Sequence, residues 1–153
     1  MKGKEMNIKN ILFATDFSEN SVLTFERAKS LAAEHNAKLL ILHVIKDMED
    51  ASFHYSIAHL NLDQINSAVE KNIVEAFSHY IEKNIGDCVN YEKITKHGQP
   101  FEEILKISTE RSVDLIIVGS HGSTGIGRVV FGSTSERIVR RSKVPVLVIP
   151  CEH

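Results

Sequence analysis

Lys38-Leu39-Leu40-Ile41-Leu42-His43-Val44-Ile45 is apolar apart from Lys38 and His43. A run this short and this continuous has no polar face to turn toward water. It reads as a strand buried on both sides, the condition of a parallel sheet covered by helices. The sequence around it repeats the theme. Upstream, residues 8–15 carry Ile8, Ile11, Leu12, Phe13 and Ala14 and predict a first strand. Val22, Phe25, Ala28 and Ala32 then recur at helical spacing over residues 18–35. Downstream, Ile65, Val69, Ile73, Phe77 and Ile81 stand four residues apart and predict a helix closing near Gly86. Residues 88–96 alternate as a third strand, and Pro100 suits the first turn of a helix with Phe101, Ile104 and Leu105 inward. Residues 113–118 and 144–149 read as fourth and fifth strands, with a short helix over 133–142 between them. Five strands alternating with four helices predict one α/β domain over residues 1–153. Residues 46–62 are polar with weak periodicity.

The chain has 18 basic and 20 acidic side chains, a formal charge of −2, and 42% hydrophobic residues. That balance gives no electrostatic footprint for nucleic acid or for an anionic membrane surface. No stretch approaches the roughly 18 consecutive apolar residues of a membrane span, and residues 1–6 hold no apolar run of the signal-peptide kind. Cys88 and Cys151 lie far apart and read as free thiols in a reducing compartment. The expected location is the cytoplasm. His54 and His59 are five apart and His79 stands alone, so no protein-built metal site is expected. Arg137, Arg140, Arg141 and Lys143 gather at a helix C-terminus, where cations complement the helix dipole.

The connection after the fourth strand carries the chemistry. It runs for some 14 residues from Gly119 to Gly132, against about 2–6 for ordinary strand-to-helix loops. Gly122, Gly125 and Gly127 lie within it. Glycine allows a ligand to approach the backbone with no Cβ in the way. At its end Ser133-Thr134-Ser135-Glu136 has the spacing of a capping box, opening a helix whose free N–H groups suit phosphate. A flexible surface loop before an ordinary capped helix is the alternative. The position favours the phosphate cradle, because ligands of open parallel sheets sit beyond the carboxyl ends of the strands, where strand order reverses.

Gly119-Ser120-His121-Gly122, nine residues, then Gly132-Ser133 resembles the glycine motif of the nucleotide-binding universal stress proteins. Residues 11–18, 42–45 and 143–149 resemble the family's first strand and turn, second strand end and closing strand, so the likeness spans nearly the whole chain. The resemblance implies a Rossmann-like, doubly wound fold with a five-stranded parallel sheet in the order 3-2-1-4-5. Asp16 and Gly119 would then face each other across one crevice. It implies a bound ATP, or its relatives ADP and AMP, with Mg²⁺ carried by the nucleotide, and a stress-response regulator rather than a catalyst.

By that resemblance Asp16 accepts hydrogen bonds from the ribose hydroxyls, although Asp16-Phe17-Ser18-Glu19 also has the spacing of a helix cap. Val44 offers its main chain to the adenine edge. Ala14, Thr15 and Val118 shape the base pocket or are simply core. Gly119 and Gly122 let the backbone pass near ribose and phosphates, while Gly132, Ser133, Thr134 and Ser135 supply phosphate donors. A branched side chain at Gly122 or Gly132 is therefore expected to fill phosphate space. His121 lies near the phosphates or at the surface, and Arg128 reaches the terminal phosphates or is solvated. A homodimer through Val146, Leu147 and Val148 of an edge strand is the expected assembly.

Slow ATP hydrolysis is the alternative function. No G-x-x-x-x-G-K-S/T loop is present, the motif has no lysine, and Asp16 stands as the single carboxylate clearly at the site, so no catalytic residue is assigned. Other doubly wound folds fit less well. A receiver domain wants an acidic cluster after strand one, and a flavodoxin a phosphate loop there, where Asp16 and Glu19 repel phosphate.

Overall fold

The structure, a computed structural model, describes residues 6–18, 20–46, 62–87, 89–121 and 131–150. Five strands form one sheet: β1 (Asn10–Thr15), β2 (Lys38–Ile45), β3 (Tyr91–His97), β4 (Leu115–Gly119) and β5 (Val146–Ile149). Every pairing is parallel and the order is β3-β2-β1-β4-β5, as the resemblance implied. The described helices are α1 (Asn20–His35), α2 (Leu62–Asn84), α3 (Pro100–Glu110) and α4 (Ser133–Arg141). None of them is long and apolar enough to cross a membrane.

The continuous apolar strands divide their side chains between two cores by the two-residue period of the pleat. Ile11, Phe13, Leu39, Ile41, Leu115 and Ile117 pack with Phe25, Ala28 and Ala32 of α1 and Phe77 and Ile81 of α2. Leu12, Leu40, Leu42, Ile116 and Val118 pack with Phe101, Ile104 and Ile107 of α3 and Ile138 of α4. Both faces are covered, so β2 has no polar face. The strand ends are tied as well. Asp114, just before β4, accepts hydrogen bonds from the main-chain N–H groups of Lys9 (2.8 Å) and Asn10 (2.9 Å) at the start of β1.

Helix ends follow local chemistry. α1 stops at Asn36, whose φ of 50° is left-handed, and the N–H of Ala37 donates back to the carbonyl of Ala32 at 2.8 Å. Ser112 (φ 48°) closes α3 likewise, with the N–H of Val113 donating to the Ser108 carbonyl at 3.0 Å. Two expected helix faces need correction. In α2, Phe77 and Ile81 are buried but Val69 is 50% exposed. A four-residue step overshoots a helical turn by about 40°, so the stripe drifts off the core within two steps. In α1, Val22 faces water while Ser21 and Thr24 are buried. The first turn of α1 looks onto the ends of β1 and β4, where small hydroxyl side chains find partners: Ser21 Oγ donates to the Ser18 carbonyl at 2.7 Å.

Candidate functional site

Strand order reverses between β1 and β4, which are hydrogen-bonded neighbours whose onward connections leave in opposite directions. Beyond their carboxyl ends lies a cavity of about 260 Å³. β1 contributes Ala14 and Thr15, followed by Asp16; β4 contributes Val118 and Gly119, followed by His121. Val44 enters from β2, and Gly132, Ser133, Thr134 and Ser135 from the start of α4. Eleven of the twelve residues singled out in the sequence thus line one space; the twelfth, Gly122, lies outside the described residues, as do Arg128, Cys88, Cys151, His54 and His59.

The turn after β1 is tightly organised. Phe17 N–H donates to Thr15 Oγ1 (3.1 Å) and Ser18 N–H donates to Asp16 Oδ1 (3.0 Å). Asp16 therefore closes a turn of its own and does not cap α1, which begins at Asn20. Its exposed carboxylate stands at the cavity wall.

The opposite wall is built on one carbonyl. The Ser120 oxygen accepts from the N–H of Gly132 (2.6 Å) and from Ser135 Oγ (3.0 Å), which fastens the start of α4 to the end of β4. The capping box expected at Ser133 does not form. Gly132 is the N-cap, with no side-chain cap, and Glu136 pairs instead with Arg140 at 3.3 Å. The helix begins at Ser133, as the sequence predicts, with Ser135 tied to Ser120 where a side-chain cap was expected. A glycine N-cap offers the first N–H groups of α4 no side-chain acceptor of its own, and they stand with the positive end of the helix dipole.

The two described loop glycines, which line the cavity, also lie close to neighbouring elements. A Cβ on Gly119 would lie 3.3 Å from Thr24 Oγ1 and 3.3 Å from the His121 carbonyl oxygen. On Gly132 it would meet the Ser120 oxygen at 3.4 Å and Ser135 Oγ at 3.7 Å. Gly119 thereby permits the close approach of β4 and α1, and Gly132 that of β4 and α4.

Five lining residues escaped the sequence reading: Ser21, Leu42, Lys46, Pro100 and Ile104. Leu42 and Lys46 were within reach, because they stand two residues either side of Val44 and the strand period puts them on its face. Pro100 and Ile104 arrive from α3, and no local signal places α3 against the carboxyl end of β2. With Ala14, Leu42, Val44 and Val118 they make an apolar slot. Among the described lining residues Asp16 is the one carboxylate, and His121 holds Ser120 Oγ with its Nδ1 at 3.1 Å. The basic residues of α4 also do more than complement its dipole: Arg137 and Arg141 lie over the Phe101 ring at 4.8 and 5.3 Å. Among the described residues no three His, Cys, Asp or Glu side chains are grouped to hold a metal ion.

Comparison with known proteins agrees with this architecture. Residues 7–150 match the sequence profile of the Universal stress protein family. Universal stress protein MJ0577 of Methanocaldococcus jannaschii is 31% identical, over 92% of this chain and 94% of its own. Its solved structure superposes with a TM-score of 0.75, covering 95% of this chain and 98% of that one. Universal stress protein YxiE of Bacillus subtilis is 33% identical over 91% of this chain and 97% of its own. A crystal structure of a universal stress protein in complex with cAMP, 25% identical, covers 94% of this chain and 97% of that one, with a TM-score of 0.64. With the 3-2-1-4-5 sheet and a sequence match over nearly its full length, this chain belongs to the universal stress protein family.

Proposed function

We propose that the cavity at the switch point binds an adenine nucleotide, ATP foremost, and that the protein is a nucleotide-dependent regulator of the stress response rather than an enzyme. The observation that carries this reading is the pairing, in one space, of an apolar slot with an uncapped helix N-terminus. The slot between Ala14, Leu42, Val44, Val118 and the first turn of α3 takes the base. The strand backbone at Val44 offers it hydrogen bonds. Asp16 accepts from the ribose hydroxyls. The phosphates extend toward His121 and the N–H and hydroxyl groups of Gly132, Ser133, Thr134 and Ser135. Thr15 and Gly119 close the floor between them, and Gly122 is assigned to the phosphates by the glycine motif alone. Mg²⁺ arrives with the nucleotide.

The cAMP complex of a relative supports an adenine nucleotide as the ligand class. The cavity volume lies near the lower end for small-molecule pockets, roughly 300 Å³. Phosphoryl transfer asks for a positioned water and for groups that neutralise the γ-phosphate, whereas the one carboxylate among the described lining residues is assigned to the ribose. A homodimer is part of the proposal. β5 is an edge strand, and Val146, Leu147 and Val148 are half-buried in the isolated chain, a pairing surface for a second copy.

Titration calorimetry with ATP, ADP, AMP, cAMP and GTP tests the site. Binding of the adenine series with GTP much weaker is expected; equal affinity for GTP and ATP, or no binding of either, overturns the reading. Steady turnover of ATP on the order of 1 s⁻¹, an ordinary enzyme rate, would overturn its non-catalytic part. A monomeric mass at high concentration would remove the dimer.

A further inference from the structure

On the face of the sheet away from the apolar slot, His43 touches the β1 turn on both sides of Asp16. Its Nδ1 lies 2.9 Å from the Thr15 carbonyl oxygen. Since a carbonyl only accepts, Nδ1 carries the proton and donates. On the other side of Asp16, the Phe17 ring lies against the imidazole with centroids 4.3 Å apart. Phe17 has φ 61°, a left-handed conformation that a bulky residue rarely takes and that persists only where its surroundings enforce it. Phe77 and Tyr80 of α2 complete those surroundings, with centroids 5.0 and 6.3 Å from the Phe17 ring.

From this arrangement we infer that His43 is a positioning residue: its hydrogen bond to Thr15 and its contact with Phe17 clamp the turn so that the Asp16 carboxylate is held at the cavity. The inference rests on the ribose role proposed for Asp16. Burial keeps the imidazole neutral, lowering its pKa below the ordinary 6.5 against the opposing pull of the Thr15 carbonyl and of Asp16. The neutral ring with Nδ1 protonated already supplies that donor, so the clamp requires no charge on His43. His43 does not line the cavity, so its effect on a ligand runs through Asp16.

The test compares ATP with 2′,3′-dideoxy-ATP, which lacks both hydroxyls that Asp16 would hold. The parent protein should prefer ATP by about tenfold or more, the worth of a charge-assisted hydrogen bond. Asp16→Ala should abolish the preference. His43→Phe, which keeps a ring but no donor, should reduce it severalfold while affinity for the dideoxy nucleotide stays near that of the parent. His43→Asn, whose amide can donate in place of Nδ1–H, should restore much of it. If Asp16→Ala keeps the preference, the ribose assignment fails and the inference with it. If Asp16→Ala loses the preference and His43→Phe keeps it, the ribose assignment stands and the clamp is refuted. Equal weakening of both nucleotides by His43→Phe would show a merely structural role and refutes the clamp too. Should His43→Phe not fold, Phe17→Gly, which accepts the left-handed backbone without a ring, carries the same comparison with the same two outcomes.

Discussion

Gly119→Ala separates two explanations of the loop glycines. If Gly119 exists to let a ligand approach, alanine should leave the protein as stable as the parent and cost only affinity. The geometry predicts otherwise. The new Cβ would sit 3.3 Å from Thr24 Oγ1 and 3.3 Å from the His121 carbonyl oxygen. Thr24 is 1% exposed, and its β-branched side chain on α1 has little rotamer freedom with which to retreat. The other neighbour is main chain. Moving both by a few tenths of an ångström is local overpacking, at about 1–3 kcal/mol. With a urea m-value of about 2 kcal/mol per M, the unfolding midpoint should fall by roughly 0.5–1.5 M. Urea unfolding of ligand-free protein, followed by circular dichroism, measures it. Thr24→Ala removes one of the two close contacts. The alanine at 119 should therefore cost less in that background, a coupling of about 0.5 kcal/mol or more. A midpoint equal to the parent's, or the same penalty in both backgrounds, refutes the packing explanation.

Gly132→Ala should be milder, within about 1 kcal/mol, because its Cβ meets its neighbours at 3.4 Å or more and φ is an ordinary −70°; a midpoint loss as large as that of Gly119→Ala would contradict this. Ser135→Ala deletes the hydroxyl that donates to the Ser120 and Gly132 carbonyls, both at 3.0 Å, and should lower stability by about 1–2 kcal/mol. It should also weaken ATP, since α4 loses a tie to β4; unchanged affinity and stability together would remove Ser135 from the site. His43 titrates in the opposite sense to a salt-bridged histidine. Its folded pKa lies below 6.5, so in acid the unfolded chain takes up a proton that the folded chain refuses. Its contribution is complete above pH 6.5 and is lost as the pH falls from there through the folded value. The urea midpoint should therefore fall less steeply with acid in His43→Asn than in the parent, and parallel curves would count against this.

Much of the fold can be read from β2 alone, whose bounds match the continuous apolar run residue for residue. Other strand ends are less legible, for a physical reason. Ile8 and Val113 are buried but lie outside the ladder, because Ile8 precedes the first pairing at Asn10 and Val113 follows the left-handed Ser112 that closes α3. Hydrophobicity marks burial, and pairing marks the strand. At the site, the motif drew attention to the rim where the cavity lies, while the detail of α4 depended on Ser120, which lies beyond any local window. The drift of Val69 out of the core could have been foreseen, since a four-residue repeat is not the period of a helix. The clamp around Asp16 is the least legible part. No sequence pattern marks Phe17 for a left-handed conformation, and only the pairing of Thr15 with His43 across β1 and β2 brings the imidazole beside it.

Solving the structure of the protein with ATP bound would locate the ligand outright. The base should lie in the slot between Ala14, Leu42, Val44, Val118 and Ile104, the ribose within hydrogen-bonding distance of Asp16, and the phosphates at the start of α4. A nucleotide seated elsewhere while that cavity stays empty, or one turned so that its phosphates enter the apolar slot, would contradict the assignment.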